Sequence, residues 1–360
     1  MSTSASHKRY VLILAGGSGQ RFWPISRDTR PKQLLKLFGD KTLLELTIDR
    51  LQGFVPKENI LILTNTQQEA SVRAIVKDLP KENIVAEPEK RDTAPAIALA
   101  VGWVVARDPT ATMLVLPADH LIQNHAEFQR VLTNASIAAE NSGNLVTIGI
   151  KPTWPCPSYG YVERGRRASI GGMDDLPAWE VARFREKPNP DLAEHFISQG
   201  NFLWNAGMFI WTIPAIFSEL SRHCPVLADF VSELRGTKDF AATVARQFAK
   251  LPKLSIDYAL MEKATRVLNI EATFDWDDVG NWTSVGRYLE SDGDGNQFNC
   301  AFSQQDAASN LVFTQTGQHV ALIGVQDLLV VASKDGLLVA DRARAETIKK
   351  LVDGLPAELR

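Results

Sequence analysis

The residues best placed to do chemistry open the chain. Val11–Leu14 is an apolar run, AGGSG follows at Ala15–Gly19, and then come Gln20, Arg21, Arg27, Arg30, Lys32 and Lys36. Glycines in such a turn let backbone N–H groups close on an anion with no Cβ in the way. The cations behind it would neutralise charge that grows in a transition state. Five Arg or Lys face one carboxylate between Ser18 and Lys36, in a chain of formal net charge -3. So local an excess points to a small polyanion, not to DNA or RNA. The bland reading is a tight turn after a strand, and the basic run is what argues against it. Two common phosphate loops are excluded. No Lys-Ser or Lys-Thr closes a Walker A pattern, and Phe22 stands where G-x-G-x-x-G needs its third glycine.

Carboxylates are the second chemical signal. Asp119 ends PADH after the apolar run Thr112–Leu116, and Asp275, Asp277 and Asp278 crowd one short turn. Three acids in four positions repel unless a cation, caps or solvent compensate. Mg²⁺ takes one or two carboxylates plus phosphate oxygens and water, so one Asp from each place, beside a phosphate loop, would serve it. Turn or capping aspartates are the alternative at both places. Glu186-Lys187 could offer a carboxylate to sugar hydroxyls and a cation to a phosphate, or be a plain surface pair. Asn205 lies in an apolar segment, where its amide needs partners. His120 could be a base, though phosphoryl-type chemistry needs none; His125, His195 and His223 have ordinary contexts.

These residues need a scaffold that brings them together. Strand-like runs at 11–14, 59–64, 84–85, 112–116 and 145–149 alternate with helical patterns at 43–51, 67–79, 93–106 and 128–140. Thr93 is a candidate cap. That alternation predicts a parallel sheet with helices on both faces and ligands at the carboxyl ends of the strands. An antiparallel insertion is expected over 151–187, helices over 190–199, 213–235 and 240–251, and another at 255–262. From about residue 299 to 341 short β-rich pieces alternate with turns, and a helix closes the chain. We expect an α/β domain over 8–290 and a small β-rich domain over 291–360.

Composition adds little pull of its own. With 45% hydrophobic and 22% charged residues the 360-residue chain is ordinary for a soluble protein. Neither nucleic acid nor a membrane is indicated, and no stretch approaches a transmembrane span. The start MSTSASHKRY lacks the apolar core of a secretory signal. Cys156, Cys224 and Cys300 fit no disulfide or zinc pattern. The expected compartment is cytoplasmic.

Taken together, LAGGSGQRFWPISRDTRPKQLLKL, EPEKRDTAPAIA, PADH, FREKP, WNAGMF and FDWDDVGNW run in order from Leu14 to Trp282. In these motifs the chain closely resembles the mannose-1-phosphate guanylyltransferases, within the sugar-1-phosphate nucleotidyltransferases. The resemblance implies an α/β, Rossmann-like domain with a mainly parallel sheet, then a small left-handed β-helix-like domain. It implies Mg²⁺-dependent transfer of GMP from GTP to mannose 1-phosphate, giving GDP-mannose and diphosphate. By analogy Arg21, Lys32, Asp119 and Asp278 are catalytic, and the two aspartates hold the metal. Leu14, Ala15, Gly16, Gly17, Gly19, Arg21, Lys32, Glu87, Arg91, Asp92, Thr93 and Pro95 would bind the nucleotide, with Glu87 accepting the N–H groups of guanine. Gly160, Glu186, Lys187, Asn205 and Gly207 would bind the sugar phosphate. Asp92 departs from the family's usual Asn and exchanges a donor for a charge. Family analogy suggests a homodimer, and a single activity is expected because an isomerase domain has no room. Another hexose 1-phosphate as acceptor, or a non-catalytic nucleotide-sugar sensor, is the alternative.

Overall fold

The computed structural model describes residues 7–17, 19–173 and 176–360; MSTSAS at the start, Ser18 of the glycine turn and Asp174-Asp175 lie outside the described residues. Nine strands form the main sheet: β1 (Arg9–Leu14), β2 (Ile60–Asn65), β3 (Ile84–Glu87), β4 (Thr112–Pro117), β5 (Leu145–Ile150), β6 (Tyr161–Ala168), β7 (Ala178–Arg185), β8 (Phe202–Thr212) and β9 (Val267–Glu271). Their spatial order is β3-β2-β1-β4-β8-β5-β9-β7-β6, with β6 also pairing β8. Strands β1, β2, β4 and β5 are almost wholly buried, which is why they read as short unbroken apolar runs; β3, at the sheet edge, is half so.

The alternation of strand and helix does make a mainly parallel sheet, with one interruption. The eleven-residue β8 lies between β4 and β5 and runs against both. With β7 it opposes the other seven strands. The expected antiparallel insertion is the β6–β7 hairpin, which extends the main sheet instead of standing apart.

Helices α1 (Leu43–Asp49), α2 (Glu69–Ile75), α3 (Thr93–Val105), α4 (His125–Ser142), α5 (Pro190–Gln199), α6 (Ile213–His223), α7 (Pro225–Gly236) and α8 (Phe240–Gln247) cover it. One face of the sheet packs on α3, α6 and α7, the other on α1, α2 and α4. Small residues make α3 a helix that can be buried all round, and a Cβ on Gly102 would meet Leu234 of α7 at 2.4 Å. The predicted helix over 213–235 is two helices, broken at Cys224-Pro225 because proline starts the second. No helix of the described residues is long and apolar enough to cross a membrane.

A short α9 (Trp282–Gly286) leads into a second unit. Here β10 (Glu290–Ser291), β11 (Gln297–Phe298), β13 (Leu311–Thr314), β15 (Leu328–Ala332) and β16 (Leu337–Asp341) form one sheet, and β12 (Phe302–Gln305) and β14 (Val320–Ile323) another. Parallel pairing of β11, β13 and β15, and of β12 with β14, stacks successive turns of chain as in a β-helix. Helix α10 (Ile348–Asp353) follows, and Ile348 and Val352 bury against Phe22, Trp23 and Trp282.

Candidate active site

The glycine turn leaves β1 at the carboxyl edge of the sheet. Its carbonyls are tied down from below. Ala15 O accepts from Gln33 Nε2 (2.7 Å) and the Thr64 hydroxyl (3.2 Å), and Gly17 O accepts from Gln68 Nε2 (3.0 Å). Because a trans peptide sets N–H opposite C=O, these bonds turn the following N–H groups the other way. No atom lies within 4 Å of a Cβ placed on Gly16. Gly19 is required for two reasons: its φ is +60°, and a Cβ would lie 2.3 Å from the Lys32 nitrogen. Gln33 and Gln68 were not among the predicted site residues; the only sequence sign was an amide in each of two flanking segments.

Beside the turn, the two acidic motifs are physically joined. Leu121 donates to Asp277 O at 2.8 Å and Asp277 donates back to Leu121 O at 3.1 Å, so an isolated β-bridge spans 156 positions of chain. This fixes Asp119 and Asp278 on either side of Lys32. The Lys32 Nζ lies 2.9 Å from Asp119 Oδ2 and donates to the Asp278 carbonyl at 2.5 Å. The other two aspartates have different employment. Asp275 accepts from the N–H groups of Gln123 and Asn124 (2.7 and 2.8 Å), at the entry to α4. Asp277 is buried and accepts from Val279 N, Arg287 and the Tyr288 hydroxyl. Asp278 also lines the cleft, and there Tyr159 donates to its Oδ1 at 2.6 Å.

Electrostatics separate the two facing acids. Desolvation favours the neutral form of Asp119, whose side chain is about one-third exposed, but the Lys32 ammonium holds its carboxyl below the usual range. Burial raises Asp278, with Lys32 opposing the rise. Burial pushes His120 down to about 3. The Trp276 indole N–H donates to His120 Nδ1 at 3.1 Å, so the neutral ring carries its proton on Nε2. Such a histidine is poorly suited to be a base at neutral pH, and the reaction class considered above requires none.

On the far side of Asp278 lies a cavity of about 190 Å³ lined by Gly160, Glu186, Asn205, Gly207 and Asp257. A Cβ on Gly160 would lie 2.5 Å from Glu186 Oε2. Glu186 is held by the 2.9 Å bond from its N–H to Glu262 and pairs at 2.9 Å with Lys187 Nζ. Lys187 (φ +44°), Asp92 (φ +68°) and Val279 (φ +48°) are three non-glycine residues in left-handed backbone, all beside predicted site positions.

On the opposite side of the glycine turn, Glu87 ends β3 next to Asn65 of β2. Burial, then the neighbouring Asp92, raises its carboxyl to about 8. The cap of α3 is Asp92 and not Thr93: the Asp92 carboxylate accepts from Thr93 N at 2.8 Å, while the Thr93 hydroxyl accepts from Ile256 N. Pro95 is buried in the first turn of α3. Arg91 pairs with Glu89 and donates to Leu251 O. Leu14 accepts at its carbonyl from Ala118 N, which anchors the loop carrying Asp119.

Not all the cations gather at the turn. Arg27 pairs with Asp335 of the β-rich unit at 2.7 Å, and Arg30 is exposed. Arg21 pairs at 2.9 Å with Glu346, across a cleft of about 1100 Å³ that reaches Asp278. The cluster is therefore a lysine bridging two acidic motifs, flanked by a glycine turn on one side and an acid-lined cavity on the other. Such an arrangement can hold a chain of phosphates and a polyol in line.

Comparisons with known proteins agree with this layout. The nucleotidyl transferase family model matches residues 10–292, and that of the MannoseP isomerase/GMP-like beta-helix domain matches residues 304–355. The chain is 37% identical to the mannose-1-phosphate guanylyltransferase of Escherichia coli K12, over 98% of this chain and 75% of that protein. It is 38% identical to mannose-1-phosphate guanylyltransferase ManC of Salmonella typhimurium, over 98% and 74%. A crystal structure from Thermus thermophilus, described as a mannose-1-phosphate geranyltransferase, superposes with a TM-score of 0.85 at 33% identity, covering 96% of this chain and 98% of that one.

Proposed function

The chain belongs to the nucleotidyl transferase family, among the mannose-1-phosphate guanylyltransferases, and from that premise we propose that it transfers GMP from GTP to α-D-mannose 1-phosphate, releasing diphosphate and forming GDP-mannose. The observation that carries the reading is Lys32 between Asp119 and Asp278, with the glycine turn against Lys32 and the Glu186 cavity lined in part by Asp278. The triphosphate would lie along the turn with Arg21 and Lys32, and the guanine would reach Glu87 beyond Leu14–Gly17. Arg91, Asp92, Thr93 and Pro95 would shape that end. The sugar of mannose 1-phosphate would occupy the cavity of Gly160, Glu186, Asn205 and Gly207, with Lys187, paired to Glu186, toward its phosphate.

The acceptor phosphate is already ionised at neutral pH, so no side chain need remove a proton. Its oxygen attacks the α-phosphorus of GTP, the bond to the bridging oxygen of diphosphate breaks, and the electron pair leaves on diphosphate. Lys32 lowers the barrier by standing where negative charge moves from one side of the phosphorus to the other. Lys187 holds the acceptor phosphate and so supplies orientation.

The donor set fits Mg²⁺. The Lys32 ammonium pairs with the Asp119 carboxylate and donates to the Asp278 backbone carbonyl, and the Asp278 carboxylate is close enough to feel the charges of both Lys32 and Asp119. Mg²⁺ takes one or two carboxylates and completes its shell with phosphate oxygens and water. When bound by Asp119 and Asp278, it would supply charge neutralisation at the reacting phosphates. The reading also takes the chain to divide near residue 290 and to work in the cytoplasm. Diphosphate release from GTP with a panel of hexose 1-phosphates, with and without Mg²⁺, tests the whole. The expected result is Mg²⁺-dependent release fastest with mannose 1-phosphate; release without any sugar phosphate, or with glucose 1-phosphate preferred, would overturn it.

A further inference from the structure

The acceptor cavity contains a carboxylate that the mechanism above does not use. Asp257 opens a π-helical turn, Asp257–Met261, where the sequence pattern predicts an ordinary helix. Such turns insert an extra residue and recur at functional sites. Here the turn sets the Asp257 side chain in the wall of the cavity that Glu186 and Asn205 also line.

The hydrogen bonds around Asn205 fix what Asp257 faces. The Asn205 carbonyl oxygen accepts from the Thr147 hydroxyl at 3.0 Å and from Gly207 N at 3.2 Å. Its amide nitrogen is thereby turned to Asp257 and donates to Oδ1 at 3.2 Å. That neutral donor makes a side-chain hydrogen bond to Asp257, and the charge of Lys187 acts on it from farther off. Among the described residues no Lys, Arg or His nitrogen lies within salt-bridge distance of it, whereas Glu186 has Lys187 at 2.9 Å. Burial, then the charge of Glu186, raises the Asp257 carboxyl to about 7.

Two carboxylates sharing a small, partly dry cavity repel each other unless donors are brought between them. A phosphate would add to the repulsion. A polyol would remove it, because hydroxyls on adjacent carbons can donate to the two acids at once. We propose that Asp257 is a specificity-determining residue of the acceptor site: it accepts a hydrogen bond from one ring hydroxyl of the sugar while Glu186 accepts from the neighbouring one. The inference rests on the sugar 1-phosphate reading and deepens it. The cavity then selects sugars whose adjacent hydroxyls are both directed at this pair, with the phosphate held outside it by Lys187.

The test compares wild type with Asp257→Asn and Asp257→Ala, using mannose 1-phosphate and its 2-, 3-, 4- and 6-deoxy analogues at saturating GTP and Mg²⁺. The Ala variant is needed because an Asn amide could point a donor at Asn205. KM for mannose 1-phosphate should rise about 10- to 100-fold, the range of a lost hydrogen bond to a charged group. KM for GTP should stay within about twofold, since the nucleotide lies on the other side of Lys32. For one deoxy analogue, variant and wild type should nearly coincide, because the partner of Asp257 is already missing. Equal losses with every analogue, or a lowered kcat with an unchanged sugar KM, would reduce Asp257 to a support for Asn205. A crystal structure of the wild type with mannose 1-phosphate decides the matter even if both variants unfold. A sugar hydroxyl at hydrogen-bond distance from the Asp257 carboxylate is expected, and its absence overturns the proposal. A wild type that turns over no hexose 1-phosphate would instead overturn the function on which it rests.

Discussion

Two side chains at the site carry predictions that depend on their charge. Lys32 Nζ pairs with the Asp119 carboxylate and donates to the Asp278 backbone carbonyl, which sets the two carboxylates near one another, and on the proposed reading they share one Mg²⁺ and should act as one unit. Asp278→Asn keeps the shape of the side chain and removes the charge, and a contact used mainly in the transition state costs on the order of 10²–10³ in kcat. Asp119→Asn should cost a similar amount. The double variant should fall well short of the product of the two losses, because either change disables the same ion. A double-mutant cycle at saturating GTP and Mg²⁺ checks this; fully multiplicative losses would separate the two residues. Glu87 makes a pH prediction. Its carboxyl is raised to about 8 by burial and Asp92, so in the free protein the proton stays on until the pH rises through that value. The ionised form is the one that can accept both the N1–H and the amino group of guanine. Apparent affinity for GTP should therefore increase between about pH 6.5 and 8 by roughly tenfold and then level off. Glu87→Gln should flatten the profile. A wild-type KM for GTP that does not change over this range would take Glu87 off the base.

At the level of elements, the acidic turn shows how neighbouring residues of one type divide their labour. Asp275 caps the chain entering α4, so Asp275→Ala should lower stability by about 1 kcal/mol and reduce kcat only modestly. Asp278→Asn should leave Tm unchanged or higher, since burial already disfavours its charge. Thermal unfolding of the two variants, set beside their kcat values, distinguishes a capping aspartate from a reacting one. This division was not legible in DWDD, because what separates Asp275, Asp277 and Asp278 is which distant backbone each one meets. The glycine turn, Asp119 at a strand end and the β-rich tail were legible, because each follows from a local pattern. The direction of β8 was not. An eleven-residue apolar run looks the same parallel or antiparallel, and β8 enters the sheet between strands that precede it by tens of residues. Asp257 was hidden for a related reason: SIDYALME has helical spacing, and the π turn that aims its aspartate into the cavity depends on packing from other elements.

Across the whole molecule, the β-rich unit is part of the site's foundation. Phe22, Trp23 and Ile25, which follow Arg21 directly, share one buried cluster with Trp282, Phe313, Leu329 and Ile348. The Trp23 indole donates to Leu359 O at 2.9 Å, so the segment after the glycine turn is anchored to the C-terminal end of the sequence. The same packing brings Glu346 to Arg21 at 2.9 Å, where Asn281 also donates to Glu346 at 2.5 Å. Glu346 thus holds a cation that the triphosphate would need. Both partners of the pair are about half exposed (46% and 56%), and ion pairs so open to water are worth at most about 1 kcal/mol. A triphosphate can displace Glu346 at that cost. Glu346→Gln keeps the hydrogen-bonding shape, frees Arg21 and should lower KM for GTP by up to about fivefold. Tm should move by less than about 2 °C, and KM for the sugar phosphate should not move, because its cavity is on the other side of Asp278. Steady-state kinetics with each substrate varied in turn, beside a thermal melt, measures all three. A KM for GTP that rises several-fold would show the opposite role, with Glu346 presenting Arg21 to the phosphates and the β-rich unit assisting the reaction as well as framing it.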